Sequence, residues 1–227
     1  MNKTLIIGKG EIGNALKSIF EKEYKTIILD KNETTIETNF VFMHVCFPYS
    51  NEFENQVKQY KKLYKPKYVI IHSTVPVGTS KKLCCWHSPV VGIHPHLQES
   101  LKTFTKFIGG KNNVEIYNYF KRTGMKIYLT DKSETTELMK ISSTTYYGLC
   151  IEYTKEIKKQ CNKLNIPFEL WTIWTNNYNQ GYKKLGYNEY IRPNLIPTTG
   201  KIGGHCVVQN TSLLNNKFTM LIKDLNK

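Results

Sequence analysis

Residues 4 to 13 constrain this chain more than any other stretch. Thr4-Leu5-Ile6-Ile7 is a short apolar run, Gly8-Lys9-Gly10-Glu11-Ile12-Gly13 follows at once, and Ile12, Ala15, Leu16, Ile19 and Phe20 then recur at helical spacing. A buried strand must turn sharply into an amphipathic helix through three glycines. Gly8, Gly10 and Gly13 permit that turn and let the backbone come close to a pyrophosphate, which would sit at the positive end of a helix opened by Glu11 and Ile12. Asp30 closes a second apolar run, Thr26-Ile27-Ile28-Leu29, twenty residues past Gly10. Its carboxylate suits the ribose hydroxyls of an adenosine and repels a 2′-phosphate, favouring NAD over NADP, while neighbouring Lys31 opposes that preference.

Strand and helix patterns go on alternating as far as Asp131. Phe40 to Phe47 and Tyr68-Val69-Ile70-Ile71 read as strands, and Ser50 can cap a helix that runs to about Tyr64, before Pro66. Shorter strands are expected near Val90-Val91, Phe107-Ile108 and Lys126 to Leu129, with a helix from about Asn113 to Arg122. The alternation predicts an α/β fold with a Rossmann-type parallel sheet and right-handed crossovers. From Glu134 to Leu164 only Gly148 interrupts, and Leu138, Ile141, Thr145, Leu149, Tyr153, Ile157, Cys161 and Leu164 step by three or four. That predicts one long central helix, buried on more than one side near Tyr146 to Tyr153. A second helix carries Phe168, Trp171, Trp174, Tyr178, Tyr182 and Leu185 as an aromatic stripe for packing or a subunit interface. The expected division is a dinucleotide-binding domain over 1–130 and a mostly helical domain over 131–227.

The net charge is +14 over 227 residues. Such a balance favours anionic partners, whether a dinucleotide, a phosphorylated substrate, nucleic acid or an acidic surface, and with lysines along the whole chain charge alone does not choose among them. With no recognition helix, RNP signature or zinc spacing, a nucleic-acid partner is disfavoured. No apolar run approaches the ~20 residues of a membrane span. The six cysteines have no metal-ligand spacing. Without a secretion signal they read as reduced thiols in a cytoplasmic setting, with Cys46 and Cys150 as core thiols.

Three further segments carry chemistry. His72-Ser73-Thr74-Val75-Pro76-Val77-Gly78-Thr79 follows the fourth strand, Thr136-Glu137-Leu138-Met139-Lys140 opens the long helix, and Gly203-Gly204-His205-Cys206 lies near the end. His72 reads as a structural histidine rather than a catalyst. A thiol beside a helix start has a larger thiolate fraction. Together with the glycine turn, these segments resemble the UDP-glucose/GDP-mannose 6-dehydrogenase family, and the GGHC variant resembles its branch oxidising UDP-N-acetylhexosamines. The resemblance implies an NAD-dependent oxidoreductase acting on an alcohol of a nucleotide sugar. It implies that Ser73 and Thr74 lie beside the nicotinamide, that Thr74 helps to hold catalytic water, and that Lys140 stabilises developing oxyanion charge. It also implies that Cys206 attacks the aldehyde from a first oxidation, so that a second gives a thioester for water to open. The family pairs through its long helix, which implies a homodimer.

The chain departs from that pattern at three sites. Thr144 stands for an asparagine, His96 for a catalytic carboxylate in a segment where Glu99 keeps the second, and Asn210 for an aspartate after the cysteine. These exchanges remove groups that support water activation. The sequence ends about twenty residues after Cys206, so the resemblance covers only the first part of a full family member and implies a truncated one without the second nucleotide-binding domain. Two other readings stay open: an NAD-binding sensor with impaired catalysis, and a dehydrogenase of a small hydroxy acid, to which His94-Pro95 is weakly similar.

Overall fold

The structure is a computed structural model that describes residues 3–111, 113–203 and 207–226. It comprises two compact units, Met1–Ile141 and Ser142–Lys227. In the first, a seven-stranded sheet is built from β1 (Lys3–Ile7), β2 (Lys25–Leu29), β3 (Phe42–Val45), β4 (Tyr68–Ile71), β5 (Trp86–His87), β6 (Lys106–Gly109) and β7 (Ile127–Thr130), in the order β2-β1-β3-β4-β5-β6-β7. Helices α1 (Glu11–Phe20), α2 (Phe53–Tyr64), α3 (Thr79–Lys82), α4 (Leu97–Thr103) and α5 (Val114–Arg122) connect them.

The side-chain alternation of a strand sorts the core into two layers. Ile6, Phe42 and Ile70 meet Leu16, Ile19 and Phe20 of α1 and Ile116 and Phe120 of α5 on one face. Leu5, Ile7, Met43, Val45, Val69 and Ile71 meet Phe53, Val57 and Tyr64 of α2 and its approaches on the other. Each fully buried Leu, Ile or Phe contributes about 1.5–3 kcal/mol, so both faces of the sheet are committed to packing. Ligand access is left to the strand ends. After β2 the chain passes back across β1 to form β3. Strand order reverses there, and in such sheets the crevice at the carboxyl ends of the strands takes the ligand.

The Rossmann-type sheet is present and mostly parallel, with one reversal, and two expectations are corrected. The sheet is not parallel throughout, because β5 and β6 are antiparallel, with His87 opposite Gly109. The chain leaves β5, forms only the short α4 and re-enters from the same edge, so no crossover restores the direction. The strand expected at Val90-Val91 lies earlier, at Trp86–His87. Pro89 has no amide for a ladder, and the carbonyls of Ser88, Pro89 and Val90 accept from lysines. Ser50 does not cap α2; Glu52 occupies the N-cap, while the Ser50 carbonyl accepts from the Phe53 amide at 3.0 Å.

The long helix α6 spans Ser133–Lys163. In the second unit it is followed by α7 (Glu169–Lys184), a 3-10 turn at Asn188–Tyr190, α8 (Val207–Thr211) and α9 (Lys217–Leu225). Ile202, Val207 and Ile222 form a small core with Leu149 and Ile151. Gly148 is required here: a Cβ would lie 2.7 Å from Val207 Cγ1 and 3.1 Å from Ile222 Cδ1. The burial expected around Tyr146 to Tyr153 falls on one side of the helix only, at Gly148 and Glu152. Tyr146 and Tyr153 are each 59% exposed, and Thr175 is the one buried residue of α7. The periodicity was right for helix, but Gly148 and Glu152 carry the inward face of that stretch instead of the tyrosines.

Candidate active site

The glycine turn has the geometry its spacing requires. Gly8 has φ +109, and its amide donates to the Leu29 carbonyl at 2.7 Å, tying β1 to the end of β2. Gly13 is buried against the turn, where a Cβ would lie 1.9 Å from the Gly8 carbonyl oxygen. Nothing lies within 4 Å of where a Gly10 Cβ would be, so the space beside the start of α1 is open. The first amides of a helix have no intrahelical partner, and in α1 these are the amides of Glu11, Ile12 and Gly13. Next to them a cavity of about 140 Å³ is lined by Ile7, Gly8, Asp30, Lys31, Phe47, Pro48, Gln56 and Tyr60. An open backbone cradle with an acidic residue in the adjoining cavity fits a dinucleotide with free ribose hydroxyls.

Asp30 is exposed at the end of β2. One of its carboxylate oxygens accepts from the Lys31 amide at 2.9 Å, and its own amide donates to Glu33 at 3.0 Å. Glu33 also pairs with the Lys9 ammonium, which holds its carboxyl below the usual range. A salt link therefore joins the glycine turn to the turn after β2. At the start of α1 the Glu11 carboxylate contacts the His94 ring, which brings the 91–96 loop beside the same helix end. His96 forms the N-cap of α4 without a side-chain cap bond, and its ring faces Glu99 at 3.2 Å.

Ser73 and Thr74 follow β4 at the carboxyl edge. Ser73 Oγ donates to the Phe47 carbonyl at 2.5 Å, fixing this segment to the end of β3, and Thr74 is half-buried. The turn that follows is anchored by Glu137 of α6. Its fully buried carboxylate accepts from the Gly78 amide at 2.6 Å and the Ser80 amide at 2.8 Å. It thereby satisfies the amides that open α3. Lys140, one turn further along α6, donates to the Val90 carbonyl at 2.8 Å. The structure thus brings the Thr74 segment and the Lys140 segment into one region of the first unit. Cys206, with Gly204 and His205, lies outside the described residues.

Sequence reasoning missed a buried polar chain behind these segments. His72 Nδ1 lies 2.7 Å from the Ser88 carbonyl, and His72 Nε2 lies 2.8 Å from His44 Nδ1. His44 Nε2 lies 2.9 Å from the Tyr119 hydroxyl, which is 3.0 Å from Thr4 Oγ1. Lys106 donates to the Ser88 and Pro89 carbonyls at 2.7 and 2.9 Å. Nearby, His87 is bonded to Thr136 Oγ1 at 2.8 Å and the Ser73 carbonyl at 3.2 Å. Burial, helped by the Lys106 charge, holds His44 down at about 3 and His72 well below its ordinary value. Burial also holds His87 at about 3, so all three rings are neutral at physiological pH. Burial pushes Lys106 down to about 7. The sequence signal was a histidine or lysine in or just after four of the strands, His44, His72, His87 and Lys106, and the apolar runs hid it.

No family model matches the chain. It is 27% identical over 179 residues to the UDP-N-acetyl-D-mannosamine dehydrogenases of Methanococcus maripaludis and Methanococcus vannielii, an alignment covering 70% of this chain and 38% of each relative. The chain therefore spans well under half the length of the curated relatives it matches. Among solved structures, the UDP-N-acetyl-mannosamine dehydrogenase of Staphylococcus aureus superposes with a TM-score of 0.75 at 17% identity, covering 99% of this chain and 67% of that one. A UDP-glucose dehydrogenase of Pyrobaculum islandicum gives 0.75 at 14%, covering 100% and 68%. The 3-hydroxyisobutyrate dehydrogenase of Mycobacterium tuberculosis gives 0.72 at 12%, covering 99% and 92%. All share the Rossmann-type fold with a helical part. The relatives named by sequence are the dehydrogenases that the motifs resemble.

Proposed function

We propose that this relative of the UDP-N-acetyl-D-mannosamine dehydrogenases is the NAD-binding and catalytic part of an enzyme oxidising an alcohol of a nucleotide sugar. The observation that carries the reading is the pair of hydrogen bonds that the Glu137 carboxylate accepts from the amides of Gly78 and Ser80. It couples the Ser73-Thr74 segment to the helix that bears Lys140, so the groups of two separate sequence motifs serve one site. Residues 1–130 hold the cofactor in this reading, with Gly8, Gly10, Glu11, Ile12 and Gly13 along the pyrophosphate and Asp30 on the ribose. NAD, when bound, supplies the hydride acceptor.

The chain's own groups would supply the rest. Lys140 offsets negative charge on the substrate oxygen as the alcohol proton leaves. Thr74 orients water beside the reacting carbon. Cys206 adds as thiolate to the aldehyde, and after a second two-electron oxidation the thioester is opened by water to the acid. Residues 131–227 would then carry the thiol and the dimer contact, where exposed Tyr146, Tyr147 and Tyr153 offer a face for a second copy. We also assign it to the cytoplasm, consistent with five described cysteines that are all free. Among the described residues no helix is long and apolar enough to cross a membrane.

The test is NADH formation against a panel of nucleotide sugars and hydroxy acids. Two NADH per substrate, reduced to one or none by Cys206→Ser with NAD affinity intact, supports the four-electron reaction. One NADH, indifferent to that change, reduces the function to a simple alcohol dehydrogenase. His96 and its exposed contact with Glu99 favour a second reading, an NAD-binding sensor, which predicts cofactor binding with no turnover on any member of the panel.

A further inference from the structure

Lys106 is a fully enclosed lysine to which the proposed chemistry gives no task. It is 3% exposed, and among the described residues no carboxylate forms an ion pair with it. Burying an ammonium this way is costly unless its hydrogen bonds are complete. Here they are complete for the uncharged amine. As an amine, Lys106 donates to the Ser88 and Pro89 carbonyls, and its lone pair accepts from His72 Nδ1 at 3.2 Å. His72 Nε2 then accepts from His44 Nδ1, and His44 Nε2 accepts from Tyr119. The Ser88 carbonyl, 2.7 Å from His72 Nδ1, can only accept, so it keeps the proton on that nitrogen and fixes the direction of every bond from there to Tyr119. The groups facing it are His72 at the end of β4, His44 and Cys46 from β3, His87 from β5 and Lys140 from α6.

The position of these bonds matters. Ser88, Pro89 and Val90 are consecutive, and Lys106 takes the first two carbonyls while Lys140 takes the third. His72 immediately precedes Ser73 and Thr74. We propose that Lys106 is a positioning residue: it holds the Ser88-Pro89-Val90 segment, fixes the carbonyl on which Lys140 rests, and orients the His72–His44–Tyr119 chain behind Thr74. Lys106 touches no reacting atom. It acts through Val90 on Lys140 and through His72 on the strand end, and it rests on the reading of Lys140 as a site residue.

The test compares the unaltered chain with Lys106→Met and Lys106→Arg, without cofactor. The readout is the acetylation rate of Lys140 by acetic anhydride, followed by peptide mass spectrometry. Lys106→Met should expose Lys140 and raise that rate about tenfold, the equivalent of one charge-assisted hydrogen bond, and Lys106→Arg should restore it. An unchanged rate in a folded Lys106→Met chain overturns the proposal. If that variant does not fold, the ¹⁵N shifts of His44 and His72 in the unaltered chain decide. Both rings should carry their proton on Nδ1 at neutral pH, and any other tautomer in either ring overturns the proposal. NADH titration of the same samples judges the cofactor reading separately, because the labelling needs no cofactor.

Discussion

The Glu137 carboxylate holds the Gly78 amide at 2.6 Å across 59 residues of sequence, from the first turns of α6 to the start of α3. Its other oxygen takes the Ser80 amide, and none of the side chain is exposed. Losing it leaves two amides without acceptors inside the protein. Glu137→Ala should therefore destabilise the chain by about 3 kcal/mol, and Glu137→Gln, which keeps one acceptor, by less. Urea denaturation measures both, and equal effects would show that the carboxylate's double acceptance is unimportant.

Asp30 should decide which dinucleotide binds. Asp30→Ala is expected to weaken NADH by about tenfold, as expected for a lost hydrogen bond to a charged group, while leaving NADPH unchanged or tighter. Fluorescence titration with both cofactors gives the ratio. Tighter NADPH than NADH binding to the unaltered protein contradicts the assignment.

Acid should unfold this protein through its histidines as well as its carboxylates. His44 and His87 sit at about 3 in the folded chain against an ordinary 6.5, and Lys106 at about 7 against 10.5. All three are depressed, so the unfolded chain takes each proton first and stability falls as pH falls. The lysine's loss runs from 10.5 down to about 7, and the histidines' loss from 6.5 down to about 3. Each group adds a slope of up to about 1.4 kcal/mol per pH unit within its window. His44→Asn should flatten the acid limb of a urea-midpoint profile by one such step, and an equally steep limb would count against the buried neutral ring.

The thiols should separate by reactivity. Burial pushes Cys46 and Cys85 up to about 12, so both should alkylate slowly at neutral pH, whereas Cys84 is exposed. Cys206 should react fastest and be protected by NAD with substrate, while Cys84 should not be protected. Site-resolved iodoacetamide labelling checks this order. Protection of Cys84 in place of Cys206 would move the thiol chemistry elsewhere.

Gly148 is the tightest point of the second unit's core. Gly148→Val places carbons where Val207 and Ile222 already lie, at an expected cost of about 1–3 kcal/mol or more. Thermal denaturation should show the loss, and a neutral result would mean that α8 and α9 can move away.

The sequence made the first unit's elements legible because they are short and strongly patterned. Tyr68–Ile71 lies where its apolar run put it, and Asn113 caps α5 by accepting from the Glu115 and Ile116 amides. The glycine turn was legible for the same reason: its spacing has few other uses. Strand direction beyond β5 was not legible, since alternation reports elements and not the edge from which the chain re-enters. The histidine chain was hidden because His44 sits inside an apolar strand, and its partner Tyr119 is 75 residues away. The tyrosines of α6 show the opposite error, in which apolar spacing was taken for burial that this chain alone does not supply.

The reversal of β6 has a consequence for how such a site can change. In a uniformly parallel sheet only the last residue of each strand, and the loop after it, reach the ligand edge. Because β6 runs the other way, its first residue arrives there: Lys106 lies beside Ser88 and Pro89, just beyond β5. A lineage can therefore retune this edge from a residue whose own strand is already committed to the sheet, without lengthening or redesigning any loop.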